Sequence, residues 1–433
     1  MIKKISVLVL VLVSIHNFAQ QTNSSPYSGL GIGDELAERT VEEMSMGGVG
    51  TSSSNLYNLN FNNPASLSSL RLTTYTLAVE NRAMSFEDTK GKETSSNAYL
   101  SYLALGIPIG PKGFSEPKGG IAFGFQPKTT IGYGIESIVY DSAEEPIEAS
   151  IYNGDGGTNR VFLGGGYEVI SGFSIGVEAE YLFGTVEKSI TNRKKDIQFG
   201  TKYEVISDVE GLSYEVGFIY EKKLKKNMFA NFGANIGLES SLDSKGSEYL
   251  YTVSTGSISI PKDTILNETA RGTYKTPLKT SIGISIGKNN KWSAGIDYSF
   301  REAIELTGNL KTYNPQLRYQ AASSIAVGGY YIPRYNSISS YWDRVIYRWG
   351  FNFENTGMMV DGTGTGNEFT AIDQFGMSFG VGIPIGAQLS TMNLGFEFGQ
   401  RGASDNGLVK EKFFNFRLGL TLGNKWFKPK KIY

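Results

Sequence analysis

Across most of its length the chain alternates with a strict period of two, apolar or aromatic side chains at every second position and small or polar ones between. Trp292, Ala294, Ile296, Tyr298 and Phe300 are separated by Ser293, Gly295, Asp297, Ser299 and Arg301. Leu212, Tyr214, Val216, Phe218 and Tyr220 repeat the pattern around Glu215, as do 175–183 around Glu178 and Glu180, 392–398 around Glu397, and 414–422 around Arg417. Successive side chains of a strand point to opposite faces, so each segment has one greasy face and one polar or glycine face. Fourteen such segments are read, at about 72–86, 96–109, 119–133, 159–169, 173–190, 210–222, 228–243, 270–287, 292–305, 318–331, 342–356, 370–385, 391–401 and 411–422. A soluble sandwich also alternates. Many segments of ten or more residues, with charges of both signs confined to the face opposite the aromatics, instead fit an all-β transmembrane antiparallel barrel with lipid outside and a polar lumen.

The beginning of the chain fits export to the outer membrane of a Gram-negative cell. Lys3 and Lys4, the apolar run 5–15 and Asn17-Phe18-Ala19 read as a secretory signal peptide, cleaved after residue 19. That run is shorter than the ~20 residues of a spanning helix. No later stretch approaches that length, so membrane insertion must use strands. The expected division is a signal peptide at 1–19, an N-terminal hatch at 20–71 and a barrel at 72–433. The 53 glycines, 25 tyrosines and 25 phenylalanines, with no linker-like shift in composition, favour one large body over several domains.

Composition also limits the chemistry. Cysteine is absent and the only histidine is His16, inside the expected leader. Thiolate and imidazole metal sites, disulfides and His-dependent nucleophiles are therefore excluded from the expected mature chain. No enzyme activity, metal or cofactor is expected, and a formal net charge of −1 gives no basic footprint for nucleic acid. Glu178, Glu180, Glu215, Asp297, Arg344, Arg348, Glu397 and Arg417 are the polar candidates for the lumen. Paired carboxylates there are general acid–base candidates in principle; ion pairs filling a polar interior are the reading preferred.

The connections alternate in length, as a barrel with both termini in the periplasm requires. Short links fall near 170–172, 222–227, 288–291 and 386–390, and long ones near 134–158, 191–209, 244–269, 306–317 and 357–369. The stretch 332–341 is too long for its place. Gly154-Asp155-Gly156-Gly157 and the run from Asp361 to Gly366 fall in predicted outer loops. They read as flexible surface loops, with calcium ligation by their oxygens as the alternative.

Residues 20–71 do not alternate. A short helix is predicted from Asp34 to Met46 with Asp34 as cap, then a glycine break at 47–50, then a second helix start at Asn63-Pro64, with asparagine capping and proline in the first turn. The segment is long enough to enter the lumen as a plug; a disordered periplasmic tail is the alternative.

Several stretches resemble the FadL-like outer-membrane proteins, in particular their Bacteroidota branch. They are Ser25-Pro26-Tyr27-Ser28 with the glycine-rich 29–34, Met46-Gly47-Gly48, Asn62-Asn63-Pro64-Ala65-Ser66-Leu67, residues 120–127 and 382–386, and the Trp426-Phe427 ending. The resemblance implies a fourteen-stranded barrel whose hatch, including Asn62, Asn63, Pro64 and Ala65, blocks the lumen. It also implies passive uptake of small, fatty-acid-like hydrophobic molecules, captured outside and released sideways into outer-membrane lipid. The same branch includes non-transporting subunits of type IX secretion and barrel-assembly complexes, whose partners are other outer-membrane proteins. Uptake is the function expected from the sequence, with the accessory subunit as the alternative.

Overall fold

The computed structural model describes residues 25–87, 91–110, 118–254, 260–312, 314–385 and 390–424. The expected signal peptide and the Trp426-Phe427 ending lie outside the described residues. A two-residue strand, β1 (Asp34–Glu35), belongs to the N-terminal segment, and the wall follows from β2 (Thr73–Glu87) and β3 (Lys92–Ile109). Next come β4 (Gly119–Pro127) continued by β5 (Thr129–Tyr140), β6 (Pro146–Ile170), β7 (Phe173–Lys194) and β8 (Phe199–Lys223). Then β9 (Met228–Gly237) is continued by β10 (Ser240–Ser254), β11 (Pro261–Thr276) by β12 (Lys279–Lys288), β13 (Trp292–Arg301) by β14 (Glu305–Thr307), and β15 (Leu317–Tyr319) by β16 (Ala322–Tyr331). The last four are β17 (Ile346–Val360), β18 (Thr370–Ile385), β19 (Ser390–Arg401) and β20 (Lys410–Asn424).

Joined across their kinks, these make a closed antiparallel barrel of fourteen staves. Closure is made by β20 on β2, in register from Thr73↔Asn424 to Glu87↔Lys410. Each stave therefore pairs with a neighbour on both sides over at least part of its length, the arrangement that lets strands cross lipid.

The outward face locates the lipid. On β7, Ile175, Val177, Tyr181 and Phe183 point out and are exposed, and on β8 so are Leu212, Tyr214 and Tyr220. This apolar band covers about ten residues of strand, the length a tilted spanning strand needs. Above it the outward positions turn polar, with Asp155, Glu187, Asp208 and Glu210 in the rows that follow.

The strands do not stop there. β6 and β8 each run for 25 residues, about 80 Å at the usual rise, so β5–β8, β10 and β11 continue as a sheet well beyond the membrane. This corrects the loops predicted at 134–158, 191–209 and 244–269, which are largely strand. No hydrocarbon lies against that sheet, so the greasy-and-polar alternation from which strands were read is not imposed there. Gly154-Asp155-Gly156-Gly157 likewise lies within β6 and not in a loop. Gly156 and Gly157 have φ of +105° and +133° and pair beside the kink at Lys128, across which the register of the partner strand shifts by one residue. The run from Asp361 to Gly366 is a loop, but its carboxylate is already committed: Asp361 accepts amide hydrogens from Thr363 and Gly364 at 3.0 Å and also from Gly366.

Candidate functional site: the lumen and the N-terminal segment

The N-terminal segment threads the barrel from its outer end to its turn end. Ser25 hydrogen-bonds Glu411 and accepts from Arg401 at 2.9 Å, at the outer ends of β20 and β19. Leu70 is buried at the opposite end, just before β2 begins. The first described residue thus stands at the loop end of the wall, not beside the chain's last strand end at Asn424.

Local chemistry shapes the descent. Ser25 caps a 3-10 turn over Pro26–Gly29 by accepting from Tyr27 N at 3.1 Å. The helix predicted from Asp34 is a single turn, Val41–Met44, and its cap is Thr40, locked in a reciprocal capping box with Glu43. Asp34 lies in β1 instead, because its carboxylate is taken by Arg401 at 2.5 Å and Arg82 at 3.5 Å. Asn63 caps the 3-10 helix Pro64–Ser69, accepting from Ala65 N at 3.0 Å. Its amide also donates to Thr51 O, Phe218 O and Ala234 O, tying the segment to β8 and β9. Pro64 and Ala65 are buried against β6 and β7; Asn62 donates to Gly48 O and accepts from Arg39, within the segment.

Charge contacts surround this segment. Arg160, almost fully buried on β6, donates to Glu178 at 3.3 Å and to Glu180, binds Gln126 at 2.9 Å, and lies 3.6 Å from Glu38. Lys128 pairs with Glu38 and approaches Glu180 at 3.9 Å. Burial pushes the Glu38 carboxyl up most strongly, yet Arg160 and then Lys128 hold it well below the usual carboxylate range. Glu35 pairs with Arg301 at 3.0 Å. On the far wall Arg417 bridges Glu80 at 2.8 Å and Glu397 at 2.7 Å. Arg348 donates to Asn393 at 3.0 Å, and Asn393 to Glu42 at 2.8 Å. Asp297 accepts the Gly50 and Thr51 amides at 2.8 and 2.7 Å, and Glu215 accepts from Asn235 at 2.7 Å.

Seven of the eight sequence candidates therefore face the interior, and Arg344 does not. It belongs to the 3-10 turn Trp342–Arg344, with its guanidinium 4.9 Å from the Tyr341 ring, because β17 begins at Ile346 and not at 342. Glu178 and Glu180 are bound to one arginine, the form of a structural ion pair. Sequence reading missed Arg160, Arg401 and Glu411, although Arg160 occupies an inward position of β6, between the outward Val161 and Asn159.

The interior is not wholly polar. Leu59, Phe61, Leu67 and Leu70 pack with Tyr102, Ala122 and Phe162 near the turn end, and Ile32 packs with Ile131, Val209 and Leu310 near the outer end. Inward-facing glycines let the segment lie directly on the wall. A Cβ at Gly176 would come 2.3 Å from Ala65 N, and one at Gly350 would come 2.1 Å from the Met46 carbonyl carbon.

One place in the wall is different. β3 pairs with β4 only over Leu103–Ile109, while β5, beyond the Lys128 kink, takes β1 as its neighbour through Asp34↔Thr130 and Glu35↔Thr129. A cavity of about 330 Å³ lies there, lined by Leu36, Tyr99, Pro127, Thr129, Gly156 and Thr185 among others.

The sequence profile of the BamG family matches residues 1–433. Among solved structures, the Ralstonia pickettii toluene transporter TbuX aligns with a TM-score of 0.60 at 14% identity, over 89% of this chain and 98% of that one. A Pseudomonas aeruginosa FadL homologue aligns at 0.58 and 12% identity over 90% and 99%. The Pseudomonas putida toluene transporter TodX aligns at 0.57 and 14% identity over 90% and 99%. At such identities the likeness is one of fold: a barrel like those of the FadL-family channels. No curated protein matches in sequence.

Proposed function

The chain belongs to the BamG family, and from there we propose that it is a non-transporting accessory subunit of an outer-membrane protein-assembly or secretion complex, with the outside of the barrel as its working surface. The observation that carries this reading is the grip on the N-terminal segment. Asp34, Glu35, Glu38 and Glu42 each meet a partner on a different part of the wall: Arg401, Arg301, Lys128 with Arg160, and Asn393. Removing one partner of a buried pair costs about 3–5 kcal/mol, because the other charge is left stranded. Withdrawing the segment would break the buried Asp34–Arg401 and Glu38–Arg160 contacts together, with the half-exposed Glu35–Arg301 pair adding less, a barrier unsuited to a passive gate. The sheet standing beyond the membrane offers a large surface of the kind an assembly uses.

A second reading, passive uptake of small hydrophobic molecules, is favoured by the wall cavity at the β3/β5 divergence. A molecule entering there would pass sideways to lipid without moving the segment. The two readings separate in one experiment, gentle detergent purification from native outer membranes followed by mass spectrometry of proteins and lipids. A reproducible multi-protein assembly is expected. A clean monomer carrying acyl chains or hydrocarbon would overturn the accessory reading in favour of uptake.

A further inference from the structure

We propose that two adjoining turns at the turn end of the barrel, between β8 and β9 and between β12 and β13, form a site for the headgroup of an anionic phospholipid of the inner leaflet. This goes beyond the accessory-subunit reading and does not depend on it. Lys222, Lys223, Lys225 and Lys226 come from the end of β8 and its turn, and Lys288 and Lys291 from the other turn. β9 lies between the two, paired with β8 on one side and β12 on the other, so the turns stand about 10 Å apart at the usual strand spacing.

The lysines are held in a fixed array. Leu224 N donates to Met228 O at 2.8 Å, Lys291 N donates to Lys288 O at 3.0 Å, and Asn289 N donates to Asn227 O at 3.2 Å, which ties one turn to the other. Lys226 and Asn227 both have left-handed backbone, with φ of +60° and +59°. That conformation suits glycine and asparagine and is unfavourable for lysine. A cation kept there against its local preference points to a use for its charge. The protein itself does not supply the counter-charge. Among the described residues none of the six lysines forms an ion pair, whereas Lys194, Lys195 and Lys412 at the outer end each meet a glutamate.

Strand register sets the level of this array. On β8 the outward row reaches Tyr220 and then Lys222; on β12 it runs Ile282, Ile284, Ile286 and then Lys288. Each of these lysines is the next outward position after the lipid-facing band. Lys288 also pairs with Trp292, and Trp292 with Tyr331, an aromatic row of the kind that lies at the membrane interface. Lysine stems follow the apolar wall and carry the ammonium to the phosphate plane. At the outer end the outward positions just past the band are acidic instead, with Asp155, Glu187, Asp208 and Glu210. The basic level thus belongs to one leaflet. A zwitterionic lipid neutralises its own phosphate; an anionic one leaves that charge to the protein, and each lysine near the surface adds to the attraction.

The test titrates the intact protein in detergent with phosphatidylglycerol or with phosphatidylethanolamine of the same acyl chains, and counts retained lipid by native mass spectrometry. The wild type is expected to retain phosphatidylglycerol roughly tenfold better, with the preference shrinking at high salt. Lys225→Gln, Lys226→Gln, Lys288→Gln and Lys291→Gln combined should abolish the preference while the barrel keeps its heat-modifiable migration. Lys194→Gln with Lys195→Gln, at the outer end, should leave it unchanged. Lys226→Asn separates charge from folding: asparagine suits that turn, so the unfolding temperature should not fall, yet the preference should weaken. Equal retention of both lipids by the wild type, or a preference that survives the fourfold change, would refute the site. Displacement of the lipid by inorganic phosphate would mark a free-anion site, and capture of polyglutamate without any lipid preference would mark a protein-docking one; either overturns the proposal. None of these outcomes bears on the accessory-subunit reading.

Discussion

The N-terminal segment is held in two contrasting ways along its path. In its outer stretch Asp34, Glu35 and Glu38 are gripped by arginines and a lysine of the wall. Lower down, Met46, Gly47, Pro64 and Ala65 rest their backbone on wall glycines. Charge contacts choose their partner by chemistry and leave an uncompensated charge when cut. Glycine contacts choose by shape and leave nothing stranded, only a space that any side chain closes. The first kind should therefore govern how stable the filled barrel is, and the second whether the segment is seated at all.

Arg401→Leu is expected to have the largest effect. It removes the nearest cation from Asp34 and Glu411 together, both nearly fully buried, and leaves Asp34 only the more distant Arg82 as a cation. The expected loss is about 3–5 kcal/mol, read as a lower denaturant midpoint in detergent. An unchanged midpoint would break the charged half of the comparison.

Gly350→Val tests the other half with a smaller expected cost, about 1–3 kcal/mol from overpacking. A β-branched residue suits a strand, so β17 should survive while the new side chain displaces Met46 and Gly47. The readout is protease sensitivity of residues 25–70 with the barrel's migration unaltered. Gly165→Val is the control, since a Cβ there meets its nearest atom at 3.8 Å. Equal protease resistance in both variants would mean that the glycines do not seat the segment.

The same contrast explains how much could be read from the chain. All fourteen staves were legible at membrane level, where lipid outside and polar groups inside impose the alternation. Above the lipid that constraint lapses, and the outer halves of β6, β8, β10 and β11 read as loops although they are strand. Asn63 was legible as a cap because its role is local. Asp34 was misread as one because a carboxylate serves a cap or an ion pair equally well, and only the fold brings Arg401 to it. Arg160 and its glutamates show the same limit. Arg160 pairs in register with Leu182, and its contact with Glu180 is diagonal, so the cluster exists only once the ladder between β6 and β7 is set. The wall glycines were visible as small inward positions, but the backbone they receive was not.

Glu43 offers the smallest and most specific test, because it lies where the two modes of holding meet, in the capping box just above the glycine contacts. Burial pushes its carboxyl up to about 8 from an ordinary 4.5, against the pull of its hydrogen bond to the Thr40 amide at 2.7 Å. A buried acid with a raised value stabilises the fold in its protonated form. That contribution is present in full below about pH 4.5 and is lost progressively as pH rises through about 8. Glutamine at this position keeps the capping-box geometry without the charge. Glu43→Gln should then unfold at the same temperature as the wild type at pH 4.5 and at a higher one at pH 8.5, while groups common to both proteins cancel in the difference. The opposite order at pH 8.5 would mean that the carboxylate is welcome when charged, with Arg39 and not burial deciding its state, and the charged grip would then extend down to the glycine contacts themselves.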